Sequence, residues 1–314
     1  MATFDVALFG EMMVLLVAAE EGPLESVSVF HKMTAGAETN VGIALARLGA
    51  KVGWASRLGD DTMGRYLKNV MQDEGIDCSR VQLIARQRTG FMLKGKTAQG
   101  DPPIEYYRSG SAASAMTADD IDEVWLSGAR HLHVTGIFPA LNAGTLALTV
   151  AAMKQMRRNG GTVSFDPNLR PALWGSTETM RTRLNELASL ADWVLPGMEE
   201  GRLLTGADNE ADIAAFYRNL GAQAVIVKLG PKGAYVQTQD EAFSVAGYPV
   251  ETVVDTVGAG DGFAAGIISA RLQGLDWRAS LRRATIIGAC AVQVAGDTEG
   301  YPDRARLAEL ENSA

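Results

Sequence analysis

Apolar and polar positions along this chain of 314 residues follow two alternating rhythms. Short apolar runs at 4–9, 52–57, 131–135, 162–165, 192–195 and 224–229 have the length of buried strands. Between them the spacing turns helical. Val41, Ala44, Leu45 and Leu48 fall at i, i+3, i+4 and i+7 in a helix that opens at Ala35-Gly36-Ala37-Glu38-Thr39-Asn40 and ends at Gly49. A second helix covers 62–74, closed by Gly75, and others lie near 145–158, 178–190 and 209–220. Strand and helix in alternation predict an α/β fold, a mostly parallel sheet with helices on both faces. Segments 233–237 and 242–245 read as a small antiparallel addition, helices at 262–274 and 278–295 complete the core, and a polar helix follows Asp303.

Two stretches break this rhythm. Residues 12–34 are irregular, with apolar pieces at 13–18 and 27–30 around Glu20-Glu21-Gly22-Pro23. Strand patterns at 89–94 and 104–108 flank a polar Gly100-Asp101-Pro102-Pro103 turn, as in a hairpin. Both cannot join the parallel sheet. The expectation is one domain over 1–314, with a small β lid formed by about 12–34 and 88–112.

Composition narrows the partners. With 37 acidic against 29 basic side chains the net charge is −8, which argues against nucleic acid or an anionic membrane. An anionic ligand must then be held by a local cluster of Arg, Lys and N–H groups. Cys78 and Cys290 match no disulfide or metal spacing and read as reduced thiols. The N-terminus has no signal-peptide pattern, and no run approaches about 18 apolar residues. A soluble cytoplasmic protein with a small-molecule partner is expected.

Chemistry concentrates in Asp255-Thr-Val-Gly258-Ala259-Gly260-Asp261, where an apolar strand-like segment turns into an apolar helix. Helix N-termini offer unpaired N–H donors and a partial positive charge, suited to a phosphate. Gly258 and Gly260 let the backbone approach such a group, and Asp261 is placed to take a proton from a nucleophile. A glycine-rich turn with Asp261 as a helix cap fits the same residues. Ligands of doubly wound sheets bind outside the carboxyl ends of the strands, where Glu11, Asp60, Asp166, Asn168, Arg170, Glu200 and Lys228 also fall. Arg170 suits a carboxylate or phosphate, which arginine grips bidentately, and Arg108 beside Tyr106 offers a second such group. His131 and His133 share one strand face, but without a third ligand packed histidines are the expectation. Met153 and Met156 read as core filling.

These residues resemble a known family. Asp255-Thr-Val-Gly-Ala-Gly-Asp261-Gly-Phe-Ala-Ala-Gly266 is similar to the C-terminal signature of the ribokinase-like (PfkB) carbohydrate kinases. Ala35-Gly36-Ala-Glu-Thr-Asn40-Val-Gly-Ile-Ala-Leu-Ala-Arg-Leu-Gly49 resembles their N-terminal signature, and Gly59-Asp60-Asp61 with Gly64 also fits. The resemblance implies a Rossmann-like domain with a β-sheet lid that takes part in dimer contacts. It implies transfer of the γ-phosphoryl group of ATP to a sugar hydroxyl with Mg²⁺, and it raises a monovalent cation such as K⁺ near Asp255.

Asp261 would be the base, and the N–H groups of Gly258, Ala259 and Gly260 the anion hole. Gly36, Asn40 and Asn168 would face the sugar, and Lys228, Gly230 and Gly233 the nucleotide. Glu200 matches the acid of an Asn-x-x-Glu motif that orders Mg²⁺ through water, whereas Gly197 stands where the family has Asn. Within the family, the stretches around Tyr106, Arg108, His131, Asn168 and Arg170 look most like 2-keto-3-deoxygluconate kinases. There Tyr106, Arg108 and Arg170 would hold a sugar acid, although Phe91 or Met92 supplies no hydroxyl where a lid aromatic is expected. The alternatives are a kinase for a neutral sugar (fructose, tagatose, ribose) or nucleoside, and a non-catalytic sensor. A nicotinamide-dependent dehydrogenase would need Gly-x-Gly-x-x-Gly after the first strand, which Gly10-Glu-Met-Met does not supply.

Overall fold

In β1 (Phe4–Phe9) of the computed structural model, Val6 and Leu8 enter one apolar layer and Ala7 and Phe9 the other. All four are buried, and a strand covered on both faces needs helices on both. The structure describes residues 3–97 and 102–313, so Gly100 and Asp101 of the expected turn lie outside it.

In chain order come β2 (Met13–Ala18), β3 (Phe30–Ala35), α1 (Ala37–Arg47), β4 (Val52–Gly59), α2 (Thr62–Asp73), β5 (Asp77–Ile84), β6 (Phe91–Lys94) and β7 (Ile104–Tyr107). Then follow α3 (Glu123–Ser127), β8 (Ala129–Thr135), α4 (Ala143–Arg158), β9 (Thr162–Asp166), α5 (Thr177–Ala188), β10 (Trp193–Val194), α6 (Met198–Thr205), α7 (Glu210–Asn219) and β11 (Ala224–Lys228). The chain closes with β12 (Ala234–Gln237), β13 (Ala242–Val245), α8 (Ala259–Leu272), α9 (Trp277–Ala291) and α10 (Arg304–Asn312).

Among the described residues, nine strands form one sheet in the order β13-β12-β11-β10-β9-β8-β1-β4-β5, parallel except at β12 and β13. α1, α8 and α9 pack on one face, and α4, α5 and α7 on the other. The strand order reverses at β1, with β4 on one side and β8 on the other, and such a switch point opens a crevice beyond the strand ends. The second sheet, β3-β2-β6-β7, is built from the two stretches that broke the rhythm. β2 leaves the end of β1 directly and pairs parallel with β6, so the small sheet stands at the mouth of that crevice.

Three boundaries differ from the pattern-based reading. β3 occupies Phe30–Ala35 rather than the apolar piece at 27–30, because its ladder to β2 runs from Phe30 to Ala35. β5 is a parallel edge strand that the pattern did not announce; it buries only Cys78 and Val81 among polar neighbours. The helix expected over 278–295 stops at Ala291.

Candidate active site

Gly258 precedes the first turn of α8 with φ +77°, and a Cβ there would lie 1.9 Å from the Asp297 carbonyl oxygen. Only glycine fits that approach. Tyr301 Oη donates to the Gly258 carbonyl at 2.6 Å and fixes the turn. The amides of Gly260 and Asp261 meet no acceptor among the described residues, as expected for a helix start.

Asp261, on the first turn of α8, is 8% exposed. Its Oδ2 accepts from Asn40 Nδ2 at 2.8 Å and its Oδ1 from Asn168 Nδ2 at 3.4 Å. Asn40 Nδ2 also donates to Asp297 Oδ2 at 3.0 Å, so one amide bridges two carboxyls. Burial pushes the Asp261 carboxyl up to about 8; Asp166 and Asp297 add to the rise, while the Asn40 hydrogen bond and Lys228 oppose it. Asp297 is raised to about 6, again chiefly by burial. Asn168 takes a left-handed φ of +39°, which asparagine tolerates better than most residues. Its own N–H donates to Asp166 Oδ1 at 3.1 Å, closing the turn that presents its side chain.

Lys228, at the end of β11, donates from Nζ to Asp166 Oδ2 at 2.6 Å. Burial works against its charge, but Asp166, Glu200 and Asp261 outweigh that and raise its pKa. A Cβ on Gly260 would stand 3.7 Å from Lys228 Nζ, so this cation lies over the start of α8. Glu200 Oε2 accepts the Gly197 N–H at 2.6 Å and Oε1 accepts the Leu169 N–H at 2.8 Å. It therefore caps α6 and anchors the loop carrying Asn168 and Arg170.

A cavity of about 340 Å³ collects these groups. Gly36, Asn40, Tyr106, Arg108, Asn168, Arg170, Glu200, Lys228, Gly258, Gly260 and Asp261 all line it. Ala259, Gly230 and Gly233 do not. Gly233 is required for another reason, since a Cβ there would meet the Val245 carbonyl oxygen at 2.0 Å. A Cβ on Gly36 would come 2.8 Å from the Glu11 carbonyl oxygen.

The four cations in the cavity lining differ in state. Arg108 is bound to Glu11 through Nε at 2.7 Å and Nη2 at 2.5 Å, Lys94 holds Asp255, and Lys228 holds Asp166. Arg170 has no carboxylate partner among the described residues; its Nη1 donates only to the Leu169 carbonyl at 2.9 Å. The two histidines turn away from ligand chemistry. His131 Nε2 and His133 Nδ1 each lie 2.8 Å from Ser164 Oγ, inside the sheet.

The model for pfkB family carbohydrate kinases matches residues 3–304. The chain belongs to that family. As a pfkB carbohydrate kinase it is a phosphotransferase. It is 47% identical over 307 residues to the 2-dehydro-3-deoxygluconokinase of Bacillus subtilis (strain 168), covering 98% of this chain and 95% of that one. The Thermoproteus tenax protein of the same name is 32% identical over 98% of this chain and 94% of its own. A crystal structure of a PfkB protein from Polaromonas sp. JS666 superposes with a TM-score of 0.92 at 57% identity, over 99% of this chain and 100% of that one.

Mg²⁺ can be weighed against the donors of this kinase. No cluster of three His, Cys, Asp or Glu able to hold a metal occurs among the described residues. Mg²⁺ typically keeps several waters and binds through one or two carboxylates plus substrate phosphates. Glu200, which lines the cavity with Lys228, fits that water-mediated role; Asp166 is 1% exposed and its oxygens hold Lys228 and the Asn168 N–H.

Sequence reasoning missed Asp297, Lys94 and Glu38. Asp297 lies beyond α9 in Gly296-Asp297-Thr298, a short polar turn whose approach to Gly258 only the fold creates. Lys94 carries only a weak signal, a cation directly after the apolar Phe91-Met92-Leu93; its burial comes from the fold. Glu38 sits inside the N-terminal signature and is held by Thr135 Oγ1 at 2.7 Å.

Proposed function

We propose that this pfkB-family kinase transfers the γ-phosphoryl group of ATP to the terminal hydroxyl of a sugar acid, 2-keto-3-deoxygluconate (also called 2-dehydro-3-deoxygluconate). Arg170 carries the substrate class: it is the cavity cation without a carboxylate partner among the described residues. A sugar carboxylate would complete it with a charge-assisted, bidentate pair. The names of the Bacillus subtilis and Thermoproteus tenax relatives support the same substrate.

In this reading Asp261 takes the proton of the attacking hydroxyl as the new O–P bond forms and the bond to the β-phosphate oxygen breaks, releasing ADP. A base whose pKa sits near neutrality is well matched to that task. The amides at Gly258 and Gly260 and the Lys228 ammonium stabilise charge on the transferring group, the Ala259 N–H being turned to the Thr256 carbonyl at 3.4 Å; phosphoryl transfer is mostly positioning and electrostatics. Mg²⁺, ordered through water by Glu200, would neutralise phosphate charge when bound. Asn40 and Asn168 orient the Asp261 carboxyl, and Tyr106 and Arg108 close the sugar side. The small sheet acts as the lid of a single domain. A dimer through that sheet would cover the exposed Val29 and Tyr107.

A neutral sugar is the competing substrate, favoured by the Glu11 carboxylate already matched to Arg108. Steady-state comparison separates the two. The proposal expects higher kcat/KM for 2-keto-3-deoxygluconate than for fructose, tagatose or ribose; the reverse order would defeat the acid assignment.

A further inference from the structure

A buried charge on the small sheet reaches the catalytic turn. Lys94 closes β6 and is 7% exposed, with Met92 two residues earlier on the same face of the strand lining the same cavity. A lysine removed from water is costly unless its ammonium is paired. Its Nζ donates to Asp255 Oδ2 at 2.7 Å. Asp255 Oδ1 in turn accepts the Val257 N–H at 3.2 Å, and Thr256, Val257 and Gly258 line the cavity. The rest of this turn is held from the main body. Val254 and Asp255 donate their N–H groups to the Val292 carbonyl at 2.7 and 3.3 Å, and Tyr301 holds the Gly258 carbonyl.

We infer that Lys94 is a positioning residue for phosphoryl transfer: through Asp255 it fixes the turn that presents the anion-hole amides, and it makes that geometry depend on the seating of the small sheet. The inference rests on the proposed role of those amides. Seating of the sheet over a sugar would then align the amides in the same event. Displacements well under an ångström matter there, because an oxyanion donor is effective only within hydrogen-bonding distance of the developing charge. Although Lys94 lines the cavity, its Nζ is committed to Asp255, so it acts on the turn rather than on the sugar. Its loss should therefore appear in kcat rather than in KM.

The test compares wild type with Lys94→Met, which keeps the apolar stem, Lys94→Arg, Asp255→Asn and the Lys94→Met/Asp255→Asn double variant. Readouts are kcat, both KM values, and the dissociation constant of β,γ-imido-ATP, with urea midpoints to establish folding. The expected result is a fall in kcat of about 10- to 100-fold in Lys94→Met, with both KM values and analogue binding within about threefold. Arginine should restore much of the loss, and the double variant should be no worse than the poorer single variant. An unchanged kcat in Lys94→Met, a loss confined to the sugar KM, or additive losses in the double variant would each overturn the inference. If Lys94→Met fails to fold, Lys94→Arg and Asp255→Asn decide it: kcat losses at preserved KM support it, and wild-type kcat in Asp255→Asn overturns it. A wild-type enzyme that phosphorylates no sugar defeats the functional proposal itself, a result distinct from an active wild type with an indifferent Lys94.

Discussion

His131 and His133 in β8 and Asp261 and Asp297 at the cavity are all less than a tenth exposed, yet burial leaves them in different conditions. The histidines sit within the strand, beside Ser164 and Thr162, and His131 stacks on Trp193 at 4.8 Å. Burial lowers both pKa values, that of His133 to about 3, so the rings stay neutral at any physiological pH. The carboxyls lie beyond the strand ends, where the chain reverses direction across the sheet and a cavity opens. Burial drives them toward neutrality too, but Asn40 and Lys228 supply compensation and leave Asp261 close to its titration point. The same desolvation silences one cluster and tunes the other. Depth in the sheet makes the difference.

Removing the tuned carboxyl should break this contrast most visibly. Asp261→Asn should lower kcat on the order of a thousandfold while leaving β,γ-imido-ATP binding nearly intact, measurable by steady-state assay and calorimetry. It should also stabilise the fold. An acid whose folded pKa is raised contributes stability at low pH that is lost as pH climbs from its ordinary value of 3.8 toward about 8. The urea midpoint of the Asn variant should exceed that of wild type by a margin that widens over that interval.

Arg170→Ala should lower kcat/KM for the sugar acid by about 10- to 100-fold, the worth of a charge-assisted contact, with a much smaller effect on neutral sugars. Arg108→Ala should act in the same direction and also unfold more easily, because it strands the Glu11 carboxylate, whose side chain is 2% exposed. Both are read from steady-state kinetics with paired substrates.

The silent cluster predicts an opposite dependence on pH. A histidine with a depressed folded pKa contributes stability above its unfolded value of 6.5 that is lost on acidification. Between neutrality and about pH 5, wild type should lose about 2 kcal/mol more than His133→Leu in urea unfolding. The smallest effect is expected from Asp297→Asn. Removing that neighbouring charge should move the acid limb of the kcat/KM profile to lower pH, because Asp297 helps raise Asp261.

Much of this was legible in the chain itself. Asp261, Gly258 and Gly260 stand out because a glycine pair followed by an acid at a helix start is a local pattern. Arg170 follows from its place at a strand end. The partners of these residues were not legible. Asn40 meets Asp261 across 221 residues and Lys94 meets Asp255 across 161. The edge strand Asp77–Ile84 escaped notice because its one-sided burial leaves few apolar positions to announce it. Gly230 and Gly233, expected at the nucleotide, lie outside this cavity's lining, and the close approach of the Val245 carbonyl to Gly233 is a packing demand that the local sequence does not show.

The most direct test of the central claim is product formation by the wild-type enzyme. ADP release would be followed with ATP and Mg²⁺ over a panel of sugar acids, ketoses and nucleosides, with ³¹P NMR of the product. The account predicts the highest kcat/KM with 2-keto-3-deoxygluconate and a phosphate ester on its terminal carbon. Preferred phosphorylation of a neutral ketose or nucleoside, or no sugar phosphate at all, would contradict it.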